Sequence, residues 1–364
     1  MTTQRDHERL YNPGPVEVRR EILEAQTAWM IGHRGKAFAD LYARLQGPLM
    51  RSFGGGPAHR VYIYTSSGSG IWESASRCAV RDDQPILHLV NGAFSERWAE
   101  VSKANGKQVD VIEVPWGQAV TAEMVAERLR ARHYDAVAVT YNETSTGVLG
   151  PLPEIAEVVR HYPDTLLLVD AVSCWLGTEI EAEKWGIDLA LASSQKAFAL
   201  PPGIAFGAVS DRLLVRASEI PFRGYYFDVL TLEQHHLKNN TPATPPISLM
   251  FAAERQFRDI EAEGYTARYD RHRALAARTR EWAVSRGFEL FSAEGYHSPT
   301  VTTIKNTRGI DFAAMKAFLS ARKMMVGSGY GKIKNETFRI AHMGDLQAEH
   351  MEELFAALDE FLGM

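Results

Sequence analysis

The sequence predicts an α/β protein: a mainly parallel sheet with helices on both faces, and a smaller α+β unit after it. Two observations predict this. From Arg60 onward, short apolar, strand-like runs alternate with amphipathic stretches of helical spacing. After about residue 245 that alternation gives way to long helices with a few strands. The first pattern is that of strand–helix–strand units, the second that of a separate α+β module.

Seven runs read as the strands of the first unit: residues 61–65, 85–90, 108–114, 134–140, 165–170, 187–192 and 204–209. Residues 93–104, 122–132 and 152–160 between them carry helical spacing. Residues 247–263 form a long helical stretch with apolar positions at i, i+3 and i+4. It leads into a helix near 267–286, strands near 288–291, 300–305 and 337–341, and helices at 312–322 and 348–362. At the other end, Tyr11-Asn12-Pro13-Gly14-Pro15 is an extended or turning arm, because a residue before proline avoids the helical region. A helix over 16–29 follows. The expected division is an arm over 1–20, a large domain over 21–255 and a small domain over 256–364.

Composition narrows the class. The 364 residues, 45% hydrophobic and 23% charged, suffice for a large core and two domains. Forty basic against 45 acidic side chains give a formal net charge of −5, with no basic block, which speaks against a nucleic-acid partner. The two cysteines, Cys78 and Cys174, make no disulfide framework and suit a reducing compartment. The N-terminal segment MTTQRDHERL lacks an apolar core, and no apolar run approaches the ~20 residues of a membrane span. A soluble cytoplasmic protein without a metal site is expected.

In sheets of this kind ligands bind at the carboxyl ends of strands, where Thr65, Thr140, Asp170 and Ser193 fall. An apolar run ends in Asp170. The next strand opens into Ser193-Ser194-Gln195-Lys196-Ala197-Phe198, with Lys196 twenty-six residues after Asp170, followed by the rigid turn Pro201-Pro202-Gly203. A lysine amine for a Schiff base and an aspartate to keep a pyridine nitrogen protonated are what pyridoxal phosphate requires to act as an electron sink. The rival reading is a strand-end salt bridge. Thr65-Ser66-Ser67-Gly68-Ser69-Gly70 lies between a strand and the helix-like run 71–80. Small residues let the backbone approach an anion, and a helix N-terminus offers free N–H groups, so this is a candidate phosphate cup. A plain Gly/Ser turn is the alternative.

These motifs, in this order from Asn12-Pro13-Gly14-Pro15 to Phe338-Arg339-Ile340, resemble the class V aminotransferases of pyridoxal phosphate fold type I, especially the alanine–glyoxylate/serine–pyruvate branch. The resemblance covers nearly the whole chain. It implies Lys196 as the Schiff-base lysine, Gln195 at the phosphate, Asp170 as partner of the pyridine nitrogen and Val172 under one ring face. Ser69, Gly70 and Ile71 match the phosphate loop, and Phe94 matches the aromatic stacked on the ring. Thr144, in Glu143-Thr144-Ser145-Thr146-Gly147, matches the hydroxyl near the cofactor's phenolic oxygen. Arg339 matches the clamp on the substrate's α-carboxylate, where a guanidinium fork binds in two parallel hydrogen bonds. Gly14, Arg34 and His342 are further substrate candidates, and Tyr330 a residue of a loop over the site. Asn240-Thr241-Pro242 resembles the segment that reaches a neighbouring subunit's phosphate, implying a homodimer with shared sites.

The chain departs from the family at two places: phenylalanine stands where tryptophan is usual (Phe94), and isoleucine where histidine is usual (Ile71). The implied activity is ping-pong amino transfer from a small amino acid (alanine or serine) to a 2-oxo acid (glyoxylate or pyruvate). Phosphoserine or aspartate amino transfer, a desulfurase-like lyase and a non-catalytic partner subunit remain as alternatives.

Overall fold

The computed structural model describes residues 7–364. In chain order its strands are β1 (Arg9–Tyr11), β2 (His59–Tyr64), β3 (Pro85–Val90), β4 (Gln108–Glu113), β5 (Ala136–Thr140), the hairpin β6 (Asn142–Glu143) and β7 (Val148–Leu149), β8 (Leu166–Asp170), β9 (Leu189–Ser193), β10 (Ala205–Ser210), β11 (Glu289–Leu290), β12 (Val301–Lys305), β13 (Met324–Ser328) and β14 (Thr337–Ala341). All seven strands expected of the first unit form, and they make one sheet in the order β2-β10-β9-β8-β5-β3-β4. β10 is antiparallel to β2 and β9; the remaining pairs are parallel. Strands such as Leu166–Asp170 are buried along their whole length, because helices cover both faces. One face packs Leu167, Val169, Phe198 and Phe206 under helices Lys36–Ser52 and Ile247–Glu263. The other packs Leu168, Leu191 and Ile86 under helix Gly68–Ala79.

The second sheet has the order β1-β13-β14-β12-β11 around its own core of Trp282, Phe338, Ile340 and Phe355. Two of its strands, β1 and β13, were not expected. β1 comes from the N-terminal arm and pairs in parallel with β13, Arg9 opposite Met324 and Tyr11 opposite Val326. The helix expected over 16–29 shrinks to Arg20–Ala25, where the Thr27 hydroxyl donates to the Glu24 carbonyl (2.8 Å) as the chain leaves the helix. Residue 255 falls inside the continuous helix Ile247–Glu263, whose Phe257 and Ile260 sit in the first core.

Among the described residues no helix is long and apolar enough to cross a membrane. Both cysteines are buried and unpaired.

His88, fully buried on β3 beside Trp98 and hydrogen bonded to the Ser102 hydroxyl (2.9 Å), is pushed down to about 3 by loss of solvation and then by Lys103. The unfolded chain takes up this proton below pH ~6.5 while the native chain does not, so stability falls with pH from there towards 3. Between pH 7.5 and 5 the wild type is expected to lose about 2 kcal/mol more unfolding free energy than His88→Gln, read from denaturant titrations at both pH values.

Candidate active site

Strand register assembles the site. Thr140 at the end of β5 pairs with Asp170 at the end of β8, and Asp170 pairs with Leu191 on β9. The residues just past these ends therefore share one edge of the sheet. Asp170 is buried there: its Oδ2 accepts from the Trp72 indole N–H (2.9 Å) and its Oδ1 from the Val172 N–H (2.7 Å). Burial outweighs both bonds and pushes the carboxyl up to about 7. Such a group gains from meeting a cationic N–H.

Lys196 follows the end of β9. Its Nζ donates to the Pro13 carbonyl of the arm and lies 6.0 Å from the centre of the Phe94 ring. Loss of solvation, with help from Arg339, holds the amine down to about 8, against the opposing pull of Asp170 and Glu143. An amine with that pKa is poised for proton transfer near neutral pH. The arm lies so close that a Cβ at Gly14, where φ is +137°, would stand 2.7 Å from Nζ and 2.9 Å from Cδ and Cε. Gly14 also lines a cleft of about 630 Å³ whose walls include Asn12, Pro13, Gly327, Tyr330 and Arg339. Lys196 lies behind Gly14 rather than on the open wall.

Arg339 is 8% exposed on β14. Its Nε donates to the Ser328 carbonyl (2.8 Å) and its Nη1 to the Thr144 carbonyl (3.2 Å), and it has no carboxylate partner among the described residues. Burial lowers it to about 10 although Glu143 and Tyr330 favour the charge. A buried guanidinium without a counter-ion calls for an anionic ligand.

Phe94 stands in the first turn of helix Ala93–Ala104. The fully buried Glu143 holds that turn by accepting from the N–H groups of Phe94 (3.1 Å) and Ser95 (2.9 Å), at the positive end of the helix dipole. Tyr330 stacks on Phe94 (ring centres 5.1 Å apart, 15° between planes), and its hydroxyl accepts from Arg97 (2.8 Å).

The cup forms at the start of helix Gly68–Ala79, after β2. Ser69 is exposed and Gly70 half-buried, whereas the Ile71 side chain is fully buried in the core and offers the cup only backbone. Val172 sits beside this turn: a Cβ at Gly68 would be 2.6 Å from its Cγ2. The Gln195 side chain accepts from the Ser193 hydroxyl (2.6 Å), and the Thr144 hydroxyl shares a hydrogen with that of Ser173.

Two expected substrate contacts are placed elsewhere. Arg34 spends its guanidinium on its own chain, donating to Asn240 Oδ1 (2.9 Å) and to the carbonyls of Thr241 (2.6 Å) and Pro242 (2.9 Å); none of its bonds reaches Lys196 or Arg339. Asn240 and Thr241 are thus grouped with Arg34, apart from Lys196 within one chain. His342 is fully buried, hydrogen bonded to the Thr302 hydroxyl (3.0 Å), and lines no part of the cleft. Three residues beyond Arg339, it belongs to the other face of an extended segment.

Sequence reasoning also missed three site residues. Glu143 stood in a motif of the resemblance but received no role. Trp72 and Asn142 carried no signal. The Asn142 amide, 2% exposed, has neither end hydrogen bonded, and the buried Thr140 hydroxyl is likewise unpartnered.

A lysine of lowered pKa, a buried acid, an aromatic beside the lysine, a helix N-terminus and an unpaired arginine around one sheet edge define a pyridoxal phosphate enzyme acting on a carboxylate. The unpartnered polar groups at the end of β5 and in β6 fit a bound polar cofactor. The comparisons sharpen this: the family described as aminotransferase class V matches residues 23–334, and the chain belongs to it. It is 34% identical to an uncharacterized aminotransferase of Methanocaldococcus jannaschii over 91% of this chain and 86% of that protein. It is 30% identical to a serine–glyoxylate aminotransferase of Methylorubrum extorquens, over 93% and 86%. The crystal structure of an alanine–glyoxylate aminotransferase from Nostoc sp. superposes with a TM-score of 0.91 at 27% identity, covering 100% of this chain and 97% of that one. The protein is a class V, pyridoxal phosphate-dependent aminotransferase of fold type I.

Gly14→Ala is expected to displace the Lys196 amine and lower kcat by ~10²-fold. Turnover at saturating pyridoxal phosphate, with folding followed by circular dichroism, checks this. A folded Gly14→Ala enzyme as fast as wild type would free the arm from any part in placing the amine.

Proposed function

We propose that this enzyme moves the amino group of a small amino acid, alanine or serine, to glyoxylate or pyruvate in two ping-pong half-reactions, as a homodimer with shared sites. The observation that carries the carboxylate specificity is the buried Arg339 without a counter-ion. The relatives that act on glyoxylate support the acceptor.

Bound pyridoxal phosphate supplies the electron sink that acidifies the donor's α-hydrogen. Lys196 would hold it covalently, Asp170 would face its ring nitrogen, Phe94 and Val172 would flank the ring, and Ser69 and Gly70, with Gln195, would take the phosphate. Arg339 fixes the donor carboxylate, which sets the α-hydrogen towards Lys196 Nζ. That amine would take the α-proton and return it two atoms along, on the carbon across the transferring nitrogen. Glu143 keeps Phe94 in place from the helix N-terminus. Thr144 would stand near the phenolic oxygen, and Asn240 and Thr241, held by Arg34, would serve the neighbouring subunit.

Two of the alternatives find no support in the site. A desulfurase needs a reactive thiol on a loop, and both cysteines are buried with their thiols pushed up, Cys78 to about 11 and Cys174 well above its ordinary value, in each case mainly by loss of solvation. Recognition of a substrate phosphate by Arg34 would compete with its three bonds to 240–242.

The test is the absorption spectrum of the purified protein titrated with alanine, serine, aspartate and phosphoserine. Alanine or serine is expected to convert the visible cofactor band to a near-ultraviolet one, and glyoxylate to restore it. A band that only phosphoserine bleaches would overturn the donor assignment. Lys196→Ala is expected to lose the borohydride-fixable cofactor mass on its peptide, together with turnover. Arg339→Ala is expected to raise KM for the donor about 10- to 100-fold while the visible band persists; an unchanged KM would remove Arg339 from carboxylate binding.

A further inference from the structure

Lys196 is gripped from two sides. On one side is the arm: Pro13 accepts from Nζ, and the Val16 N–H donates to the Gln195 carbonyl (3.2 Å). On the other side is the next peptide of its own loop, whose Ala197 carbonyl accepts from Arg268 Nη2 (2.8 Å). Arg268 belongs to helix Tyr265–Ser285 and is 1% exposed. Its Nε donates to the Leu176 carbonyl (3.2 Å), and its Nη1 to Glu263 and Asp345 (3.0 Å each).

Both grips end on one carboxylate. Asp345 Oδ1 takes Arg268, and its Oδ2 takes Nε of Arg19 (2.6 Å), the arginine that closes the arm. The Gln256 amide donates to the same two oxygens (3.1 and 3.0 Å). Burial alone would raise Asp345, but Arg268 and then Arg19 more than reverse this and hold it at about 2, so the hub is charged at any working pH. The loops that Arg268 holds include two non-glycine residues in the left-handed region, Leu176 (φ 64°) and Ala199 (φ 56°), conformations that persist only where surrounding contacts impose them. Asp345 also follows Arg339 by six residues, so the segment that carries the substrate clamp carries the hub as well.

We propose that Arg268 and Asp345 are positioning residues for Lys196, fixing the amine between arm and loop without touching substrate or cofactor. This rests on the reading of Lys196 as the cofactor lysine. A salt bridge that merely joined the two units would need only the charges. The geometry here uses the fork: one guanidinium serves two loop carbonyls and two carboxylates, a pattern that an ammonium cannot reproduce.

Arg268→Lys separates these roles, since it keeps the charge beside Asp345 and Glu263 but gives up the carbonyl contacts. The groups that face the Lys196 amine, namely Asp170, Glu143, Arg339 and the Pro13 carbonyl, are untouched in this variant. The experiment measures, on wild type and Arg268→Lys loaded with pyridoxal phosphate, the pH midpoint of the visible band, and kcat and KM for alanine with glyoxylate. The expected result is a midpoint displaced by about half a pH unit or more, kcat lower by ~10²-fold and KM within about threefold of wild type. A folded Arg268→Lys enzyme with an unmoved midpoint and kcat within about twofold of wild type overturns the proposal. If Arg268→Lys does not fold, Asp345→Asn, of the same size, is read by the same two criteria. A wild type that shows no visible band would overturn the functional reading itself, an outcome distinct from an unmoved variant beside a normal wild type.

Discussion

The active site depends on how the chain turns between β9 and the antiparallel β10. A parallel successor would have needed a long crossover; the antiparallel one lets the chain reverse within the loop that carries Lys196. That loop is buried, so each of its polar backbone groups needs a partner. The Ser194 N–H bonds to the Ile204 carbonyl (3.1 Å), the Leu200 N–H to Ser194 (3.0 Å) and the Ala199 N–H to Lys196 (2.8 Å), while the Ser194 hydroxyl takes the Pro201 carbonyl (2.7 Å). Phe198 drives the loop into the core, 4.7 Å from Phe257 and 4.9 Å from Trp175 between ring centres. Two residues from the amine, the loop is as fixed as a strand. A lysine side chain is flexible; its base here is not.

Around this fixed point the charges are left out of balance, and the imbalance has a use. Arg339 lines the cleft and Lys196 lies behind it, and the charge of Arg339 is among the causes that lower Lys196. A carboxylate seated on Arg339 cancels part of that repulsion. With Arg339 as the clamp, the amine would become more basic as the substrate arrives. Glu143 takes part from a distance. Its carboxylate is tied to the N–H groups of one helix turn, yet it favours the charge on both Arg339 and Lys196. The same side chain thus orients Phe94 and tempers the two cations.

What the sequence disclosed follows from the kind of signal each residue leaves. Asp170 and Lys196 were legible because a charged residue closing an apolar run stands out against it, and because strand ends in such a sheet lie together. The turn proposed as a phosphate cup was legible for a similar reason: its small residues fall between a strand and a helix. For Arg34 and His342, type and proximity along the chain say nothing about which way the side chain faces: Arg34 turns to residues 240–242, and His342, three residues beyond Arg339 in an extended segment, is buried against Thr302. β1 is three residues long with no alternation to display, and it pairs with a strand more than three hundred residues away. Glu143 was hidden because its partners, the N–H groups of Phe94 and Ser95, are backbone, which every residue carries.

The position of β1 also orders the assembly of the site. The arm reaches Lys196 only because β1 has joined β13, with Tyr11 fully buried in the second core and its hydroxyl on the His350 carbonyl (2.7 Å). The Pro13 carbonyl that receives the lysine amine, and the glycine that makes room for it, are therefore delivered through a pairing across more than three hundred residues. Contacts of such sequence separation form late, since the loop they close must be ordered first. Asp170 and the candidate phosphate cup lie on the first sheet alone, whereas the lysine amine also meets the arm, which is anchored on a strand from the far end of the chain.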